Sequence, residues 1–375
     1  MPPSPVPQAD PRASYLARQE AIDGAVQRVL AGGWYVLGEE VAAFEREFAA
    51  FARGRHGIGV ANGTDAIALV LKALGIGPGD GVVTVSHTAV ATVAAIEMAG
   101  AVPVLVDIEP GTCTMDPADL AAVLEHPLAG LRLRAVLPVH LYGQPAAMPE
   151  ILGLCHQHGL HLVEDGSQAH GAALDERPAG GFGVAAAWSL YPTKNLGTLG
   201  DGGIVTTDDP TLADRLRALR QYGWRQRYVS DEPGVNSRLD ELQAAILRVK
   251  LKGLAADNER RRTIAARYDA ALARGPLAPP VRRRGAAHVF HQYVIRCPER
   301  AAVQARLREA GIGTNVHYPV PVHLQPAYQG RLRLGPAGCR ESERAAMEVL
   351  SLPMFPELTD AQVEQVCQAL EALAD

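Results

Sequence analysis

The sequence is poor in lysine and in aromatic residues. Only four of its 36 basic residues are lysines, and aromatic residues make up 5% of its 375 positions. The net charge of −5 is small for this length, and no basic run exceeds the three arginines at 282–284. Because nucleic-acid binding needs a concentrated basic surface, we expect no nucleic-acid partner.

Signals for export, membrane insertion and disulfide bonding are also missing. The start, MPPSPVPQADPRASY, lacks the apolar region of a signal peptide and indicates a mobile polar arm. The longest apolar stretch, 89–106, is interrupted by Glu97 and Pro103, so it predicts no membrane span. The five cysteines are scattered without a CxxC pair, which is typical of reduced thiols. We therefore predict a cytoplasmic protein that does not bind membranes.

Short apolar runs alternate with amphipathic helical patterns through the first 210 residues. Runs that are rich in β-branched residues and do not alternate are typical of strands buried on both faces. Because the last three runs have no long helix between them, part of the sheet should be antiparallel. The pattern predicts an α/β fold with a mixed, mostly parallel seven-stranded sheet flanked by helices. The seven runs lie at 56–61, 81–86, 102–108, 135–141, 161–165, 186–190 and 202–209.

The remaining third of the chain has a different organisation. Residues 237–273 form one long helical pattern, which we interpret as a connecting helix. A Pro-, Gly- and Arg-rich stretch follows, and then a strand and two helical patterns that predict a smaller α/β unit. We predict a large domain at 1–245, including the amino-terminal arm, and a small domain at 246–375.

One of the four lysines, Lys194, lies in the glycine-rich segment SLYPTKNLGTLGDGG directly after a predicted strand. Arginine stays protonated under ordinary conditions, whereas a desolvated lysine can lose its proton and attack a carbonyl to form a Schiff base. The segment VEDGSQAHG places Asp165 at the carboxyl end of another strand, where open α/β sheets bind ligands. A surface lysine and a helix-capping aspartate are the alternatives for these two residues.

The segment VANGTDAI indicates an anion site. Gly63 and Thr64 stand at the predicted start of a helix, where free N–H groups and the helix dipole favour a phosphate. Ser189 precedes Lys194 by five residues and can add a hydroxyl. Neither GxGxxG nor GxxxxGK[ST] occurs, so the known dinucleotide and P-loop motifs are excluded. Plain helix capping at 62–64 remains the alternative.

Five segments in order, ANGTDAI, VEDGSQAHGA, SLYPTKNLGTLGDGG, GVNSRLDELQAA and HYPVPVHLQPAY, resemble the nucleotide-sugar aminotransferases. These form the DegT/StrS family of fold-type-I pyridoxal-phosphate enzymes, and the resemblance runs from about residue 33 to 356. It implies that Lys194 is the Schiff-base lysine and the acid/base of the reaction, and that Asp165 faces the ring nitrogen. It further implies that Gln168 lies near the phenolic oxygen of the cofactor, and that the phosphate is held by Gly63, Thr64 and Ser189.

The resemblance also implies a homodimer with shared active sites, because the family's counterpart of Asn236 reaches the phosphate of the neighbouring subunit. The family uses the loop HYPVPVHL at the substrate mouth, so the resemblance implies substrate contacts for His317, Tyr318 and His323, with a purely structural loop as the alternative. We also predict a substrate contact for Tyr191, three residues before Lys194. One departure stands out: the family usually has an aromatic residue, which stacks on the cofactor, where this chain has Ala89. Either His87 or another group covers that face, or the face is less tightly packed. No metal site is predicted.

The activity implied is a ping-pong aminotransferase reaction. L-glutamate would convert pyridoxal 5′-phosphate to pyridoxamine phosphate, and a nucleoside-diphosphate keto-deoxysugar, with a slight preference for a 3-keto sugar, would then accept the amino group. Family members that dehydrate sugars carry histidine at the position of Lys194, so lysine favours transamination. Such an enzyme would serve polysaccharide, glycolipid or antibiotic biosynthesis. The alternatives are amination of a non-nucleotide ketone such as a cyclitol, and a non-catalytic regulatory protein that keeps the cofactor fold.

Overall fold

The computed structural model describes residues 5–126, 128–273, 275 and 277–374. The first four residues of the predicted arm lie outside these ranges. The helices are α1 (Pro11–Leu16), α2 (Gln19–Gly32), α3 (Glu39–Phe51), α4 (Gly63–Ala73), α5 (Val90–Met98), α6 (Pro117–Glu125), α7 (Met148–His158), α8 (Pro210–Leu219), α9 (Glu241–Leu251), α10 (Leu254–Leu272), α11 (Arg300–Glu309), α12 (Arg340–Glu348) and α13 (Asp360–Glu371). The strands are β1 (His56–Val60), β2 (Asp80–Val85), β3 (Val102–Val106), β4 (Arg132–Val136), β5 (His161–Asp165), β6 (Ala173–Leu174), β7 (Arg177–Pro178), β8 (Ala185–Ser189), β9 (Gly203–Thr207), β10 (Trp224–Gln226), β11 (Val229–Ser230), β12 (Ala286–Ala287), β13 (Tyr293–Arg296), β14 (Arg333–Leu334) and β15 (Val349–Leu352).

The centre of the molecule is an eight-stranded sheet with the order β1-β9-β8-β5-β4-β2-β3-β14. Only β9 runs against the other strands. Every residue of β2 and β9 is buried, as expected for strands that are covered on both faces. The predicted mixed, mostly parallel sheet is confirmed, but the prediction of seven strands is wrong. The eighth strand, β14, has two exposed residues, so no apolar run marks it.

The predicted connecting helix at 237–273 is also wrong, because two helices occupy that range. α9 ends at Leu251, and α10 begins at Leu254 after Gly253. Glycine is a poor helix former, which explains a break at this point. The predicted domain boundary at residue 245 falls inside α9, and the division into two domains stays a prediction.

A separate hydrophobic cluster joins α10 and α13 to the antiparallel pair β13 and β15. Val6 is buried in this cluster; its N–H donates to Gly311 O at 2.9 Å, and its carbonyl accepts from Gly313 N at 2.8 Å. The described part of the arm is therefore docked, which corrects the prediction of a mobile arm. Among the described residues, no helix is both long and apolar enough to cross a membrane. All five cysteines are buried free thiols.

The sheet positions one edge for ligand binding. β1, β2, β5 and β8 run in the same direction, so their carboxyl ends meet at one edge of the sheet. α4 begins three residues after the end of β1, so its amino terminus faces that edge. Open α/β sheets bind their ligands in this region.

Candidate active site

A cavity of about 270 Å³ opens at this edge of the sheet. Its walls come from the start of α4, the segment around the start of α5, the ends of β5 and β8, and the loop after β8. Seven residues that the sequence predicted for the site line this cavity together: Gly63, Thr64, Asp165, Gln168, Ser189, Tyr191 and Lys194.

Lys194 lies in a turn after β8, where its N–H donates to Tyr191 O at 2.8 Å. Burial disfavours the charged ammonium and lowers the pKa of Lys194 to about 8, while the charge of Asp165 acts in the opposite direction. Among the described residues, none forms a hydrogen bond with its Nζ. Burial thus favours the neutral amine, and no described residue competes for it through a hydrogen bond.

Asp165 is the last residue of β5 and is 4% exposed. Its Oδ2 accepts a hydrogen bond from Thr92 Oγ1 at 2.9 Å, and its Oδ1 accepts one from Ser167 N at 3.1 Å. Thr92 and Thr88 are four residues apart, and their hydroxyls are 3.0 Å from each other. These contacts fix the orientation of a buried carboxylate at the cavity wall.

The start of α4 forms a cradle for an anion. Asn62 caps the helix and accepts from Asp65 N at 2.8 Å. The N–H groups of Gly63 and Thr64 have no acceptor within the helix, because the first turn of a helix leaves them free. A Cβ on Gly63 would lie 2.7 Å from the Cβ of Ser189, so only glycine lets β8 approach this closely. The hydroxyls of Thr64 and Ser189 complete the cradle.

Gln168 connects the cavity to two other segments. Its Oε1 accepts from Tyr142 N at 2.7 Å, and its Nε2 donates to the hydroxyl of Tyr318 at 3.2 Å. Burial and the charge of Asp165 raise the pKa of Tyr318 to about 12. Burial, followed by the charge of Lys194, lowers the pKa of His317 to about 4. The loop that carries His317 and Tyr318 therefore lies beside the cavity, although neither side chain lines it.

The structure does not bring His323 to the cavity. The ring of His323 is buried, with Nδ1 bonded to Ser86 Oγ at 2.6 Å and Nε2 to Glu343 Oε1 at 3.1 Å. Both ring nitrogens are thus engaged away from the cavity, and the substrate contact of His323 stays a prediction. The ring instead ties its loop to the segment that follows β2.

Asn236 also lies outside the cavity of its own chain. It is exposed, and its backbone pairs with Gln221 in an isolated antiparallel bridge. This position leaves the side chain free for a contact outside the chain.

The segment after β2 contains Ala89, where the family usually has an aromatic residue, and Thr92, which the sequence did not predict as a site residue. Ala89 lines the cavity, as the position of the missing aromatic predicts, but His87 does not cover it. His87 is fully buried and bonds through Nε2 to the hydroxyl of Tyr142 at 2.7 Å. The contact of Thr92 with Asp165 was missed. Thr88 precedes α5 and Thr92 lies in its first turn, so no helix-face pattern in the sequence marks this contact.

Comparison with known proteins gives consistent similarity over the whole chain. The model of the DegT/DnrJ/EryC1/StrS aminotransferase family matches residues 17–371. The erythromycin biosynthesis sensory transduction protein EryC1 of Saccharopolyspora erythraea is 46% identical over 98% of this chain and 99% of its own length. The dTDP-3-amino-3,4,6-trideoxy-alpha-D-glucose transaminase of Streptomyces venezuelae is 45% identical over 99% of this chain and 96% of its own. The crystal structure of S. venezuelae DesV in complex with a ketimine intermediate matches with a TM-score of 0.95 and 44% identity, covering 100% of this chain and 99% of that one.

Proposed function

Because the chain belongs to the DegT/DnrJ/EryC1/StrS aminotransferase family, we propose that it transfers the amino group of L-glutamate to a nucleoside-diphosphate keto-deoxysugar. The observation that supports this most is the meeting of Lys194, Asp165 and the start of α4 in one cavity. The Streptomyces relative is named for a dTDP-linked 3-amino sugar, which favours a 3-keto acceptor. The product would be an amino sugar for polysaccharide or antibiotic biosynthesis.

The cofactor is pyridoxal 5′-phosphate, and the residues of the cavity fit it: a primary amine, a buried carboxylate and an anion cradle. When bound, it supplies an aldehyde that reacts with amines and a ring that accepts electrons from the substrate carbon. Lys194 would hold the aldehyde carbon and move the proton at the substrate carbon. Asp165, held by Thr92 and Ser167, would keep the ring nitrogen protonated. Gly63, Thr64 and Ser189 would bind the phosphate, and Gln168 would lie near the phenolic oxygen.

The substrate would enter beside Tyr191, which is exposed at the cavity mouth, and the loop of His317 and Tyr318. Tyr318 is tied to Gln168, so a substrate that moves this loop would also act on a residue of the cavity. We propose that the enzyme works in the cytoplasm, which suits its five buried free thiols.

We propose that the active form is a homodimer in which Asn236 completes the partner's phosphate site. Exposed apolar side chains on both sides of this segment support the proposal. Trp34, 66% exposed, precedes Val36, which pairs with Asp240. Tyr228, 73% exposed, belongs to the hairpin of β10 and β11 that leads to Asn236. Large exposed apolar surfaces are typical of interaction sites.

Intersubunit complementation tests this arrangement. We expect Asn236→Ala to weaken cofactor binding at least about tenfold, because a hydrogen bond to a charged group is lost. A mixed dimer of one Asn236→Ala subunit and one Lys194→Ala subunit, purified through two different tags, should regain about half of the wild-type activity, since one of its two sites is intact. A mixed dimer without activity at limiting cofactor would contradict the contribution of Asn236 across the interface.

The substrate proposal is tested by a screen of keto sugars. The protein is incubated with L-glutamate and thymidine, uridine or guanosine diphosphate keto-deoxysugars, and formation of 2-oxoglutarate and of the amino sugar is measured. Turnover with a cyclitol ketone instead would favour the non-nucleotide alternative. No glutamate consumption with any acceptor would favour a regulatory role, which the name of the Saccharopolyspora relative suggests for that protein.

Capture of pyridoxal phosphate by the cofactor-free chain should become faster as the pH rises from about 7 to 9. Burial lowers the pKa of Lys194 from 10.5 to about 8, and only the neutral amine attacks an aldehyde. Below the pKa the neutral fraction grows about tenfold for each pH unit, and above it the rate should level off. Stopped-flow absorbance measures this rate; a midpoint near the ordinary lysine pKa would contradict a desolvated Lys194.

The substitution Gly63→Ala should weaken cofactor binding at least about tenfold, because separating the phosphate from its N–H donors removes charge-assisted hydrogen bonds. The added Cβ would lie 2.7 Å from the Cβ of Ser189 and force the cradle apart. Equilibrium dialysis measures the affinity. Gly153→Ala is the matched control, because a Cβ on this glycine of α7 meets no atom within 4 Å. Equal affinities of the two variants would contradict the assigned phosphate site.

A further inference from the structure

Asn258, in the second turn of α10, links the two segments that carry the principal cavity residues. Its side chain is 3% exposed. Its Nδ2 donates to His170 O at 2.8 Å, and its Oδ1 accepts from Asn195 Nδ2 at 2.8 Å. Asn195 follows Lys194 directly, and His170 lies in the loop that follows Asp165. The buried amide of Asn258 therefore bonds both to the segment that carries Lys194 and to the segment that follows Asp165.

The surroundings leave Asn258 little freedom. A Cβ on Gly171 would lie 2.8 Å from the Nδ2 of Asn258, so the glycine, with φ of +87°, allows this close approach. Asn195 Nδ2 also donates to Val289 O at 3.0 Å, which holds the other end of the link. In a buried environment each of these bonds is costly to break, because the group left behind has no water to replace its partner.

Asn258 lies outside the cavity and so cannot contact a molecule in it. Any effect on the reaction must act through the residues that it holds. A displacement of about 1 Å between reacting groups can slow an enzymatic reaction about 100-fold. The Asn195–Asn258–His170 link is therefore suited to fix the separation between the Lys194 amine and the Asp165 carboxylate.

We infer that Asn258 is a positioning residue, which sets the relative placement of Lys194 and Asp165 and with it the rate of proton transfer at the substrate carbon. The inference rests on the proposed function, because it assigns that transfer to Lys194. It adds a residue of α10 to the reaction, although that residue touches neither substrate nor cofactor.

A double-mutant cycle on Asn195 and Asn258 tests the inference in the holoenzyme. Asn258→Ala and Asn195→Ala should each lower kcat about 100-fold and leave KM for glutamate within about threefold, because positioning rather than binding is lost. The double variant should be no more than about threefold slower than the slower single variant, since both changes break one link. Gln304→Ala, which removes a hydrogen bond from Gln304 of α11 to Thr314, is the matched control and should keep the wild-type kcat.

Hydrogen exchange in the cofactor-free chain gives a second measurement that needs no activity. In Asn258→Ala the amides of 166–171 and 193–197 should exchange at least about tenfold faster than in the wild type, while those of β2 stay protected. Asn258→Asp keeps the acceptor for Asn195 and removes the donor to His170 O. It should therefore speed amide exchange at 166–171 more than at 193–197. If Asn258→Ala does not fold, Asn258→Asp replaces it in this test.

The two measurements separate the inference from the proposed function. If wild-type protein consumes no glutamate but exchange responds as described, the link is real and the proposed function fails. If the wild type is active and the decreases in kcat of the two single variants multiply in the double variant, the positioning role of Asn258 is wrong. The role is also wrong if Asn258→Ala leaves amide exchange at 166–171 and 193–197 unchanged.

Discussion

Replacing Lys194 by alanine should abolish turnover and leave the fold intact. The proposed roles of this residue, bonding to the cofactor and moving a proton, cannot be taken over by another side chain, since no second lysine lines the cavity in the described part of the chain. We expect kcat to fall by at least roughly 10⁴-fold, as when a combined nucleophile and acid/base is removed. Glutamate-dependent formation of 2-oxoglutarate measures this loss.

The same variant should not be destabilised. Burial lowers the pKa of Lys194 to about 8, so the folded state disfavours the ammonium that the unfolded chain carries at neutral pH. Removing this amine therefore removes an unfavourable contribution. Lys194→Arg should be equally inactive, because a guanidinium stays protonated. Lys252→Ala, at an exposed lysine, is the matched control and should keep full activity. Retained transamination in Lys194→Ala would refute the assigned role.

The second large effect is expected for Asp165→Asn. This change keeps the shape of the side chain and removes the charge that would hold the ring nitrogen protonated, so we expect kcat to fall at least about 100-fold. The pKa of Lys194 should also fall below about 8, because the charge of Asp165 raises it. Single-turnover absorbance with L-glutamate measures the rate, and a pH series measures the pKa.

Two further variants control for this result. Thr92→Val removes the donor to Asp165 Oδ2 but keeps the charge, and should therefore slow the reaction less than Asp165→Asn does. Asp209→Asn changes a carboxylate at the cap of α8, where asparagine caps as well, and should have no effect. Rates for Asp165→Asn within a few-fold of the wild type would contradict the role of this carboxylate.

Much of the fold could be predicted because its elements have local causes. The run HLVED was predicted as a strand at 161–165, where β5 lies. Buried parallel strands give continuous apolar runs that are visible without any tertiary information. β14 has no such pattern, because it exists only through its pairing with β3. The docking of Val6 likewise depends on a distant segment, near residue 312.

The residues of the site also fall into those that the sequence could place and those that it could not. Asp165 and Ser189 could be placed together because both end parallel strands, and such ends meet at one edge of a sheet. Thr92 and Asn258 could not be placed, since their contacts depend on how α5 and α10 are rotated against the sheet. The proline-rich loop of His323 lies near the site, but the direction of its ring, toward Ser86, could not be read from the sequence.

The most direct test of the account is the visible spectrum of the protein loaded with pyridoxal phosphate, recorded while L-glutamate is added. We predict that the visible band of the lysine-bound cofactor disappears, that about one equivalent of 2-oxoglutarate forms per subunit, and that a nucleotide-linked keto sugar restores the band. A band that stays unchanged with glutamate, with no 2-oxoglutarate formed, would contradict the assignment of this cavity as an aminotransferase site.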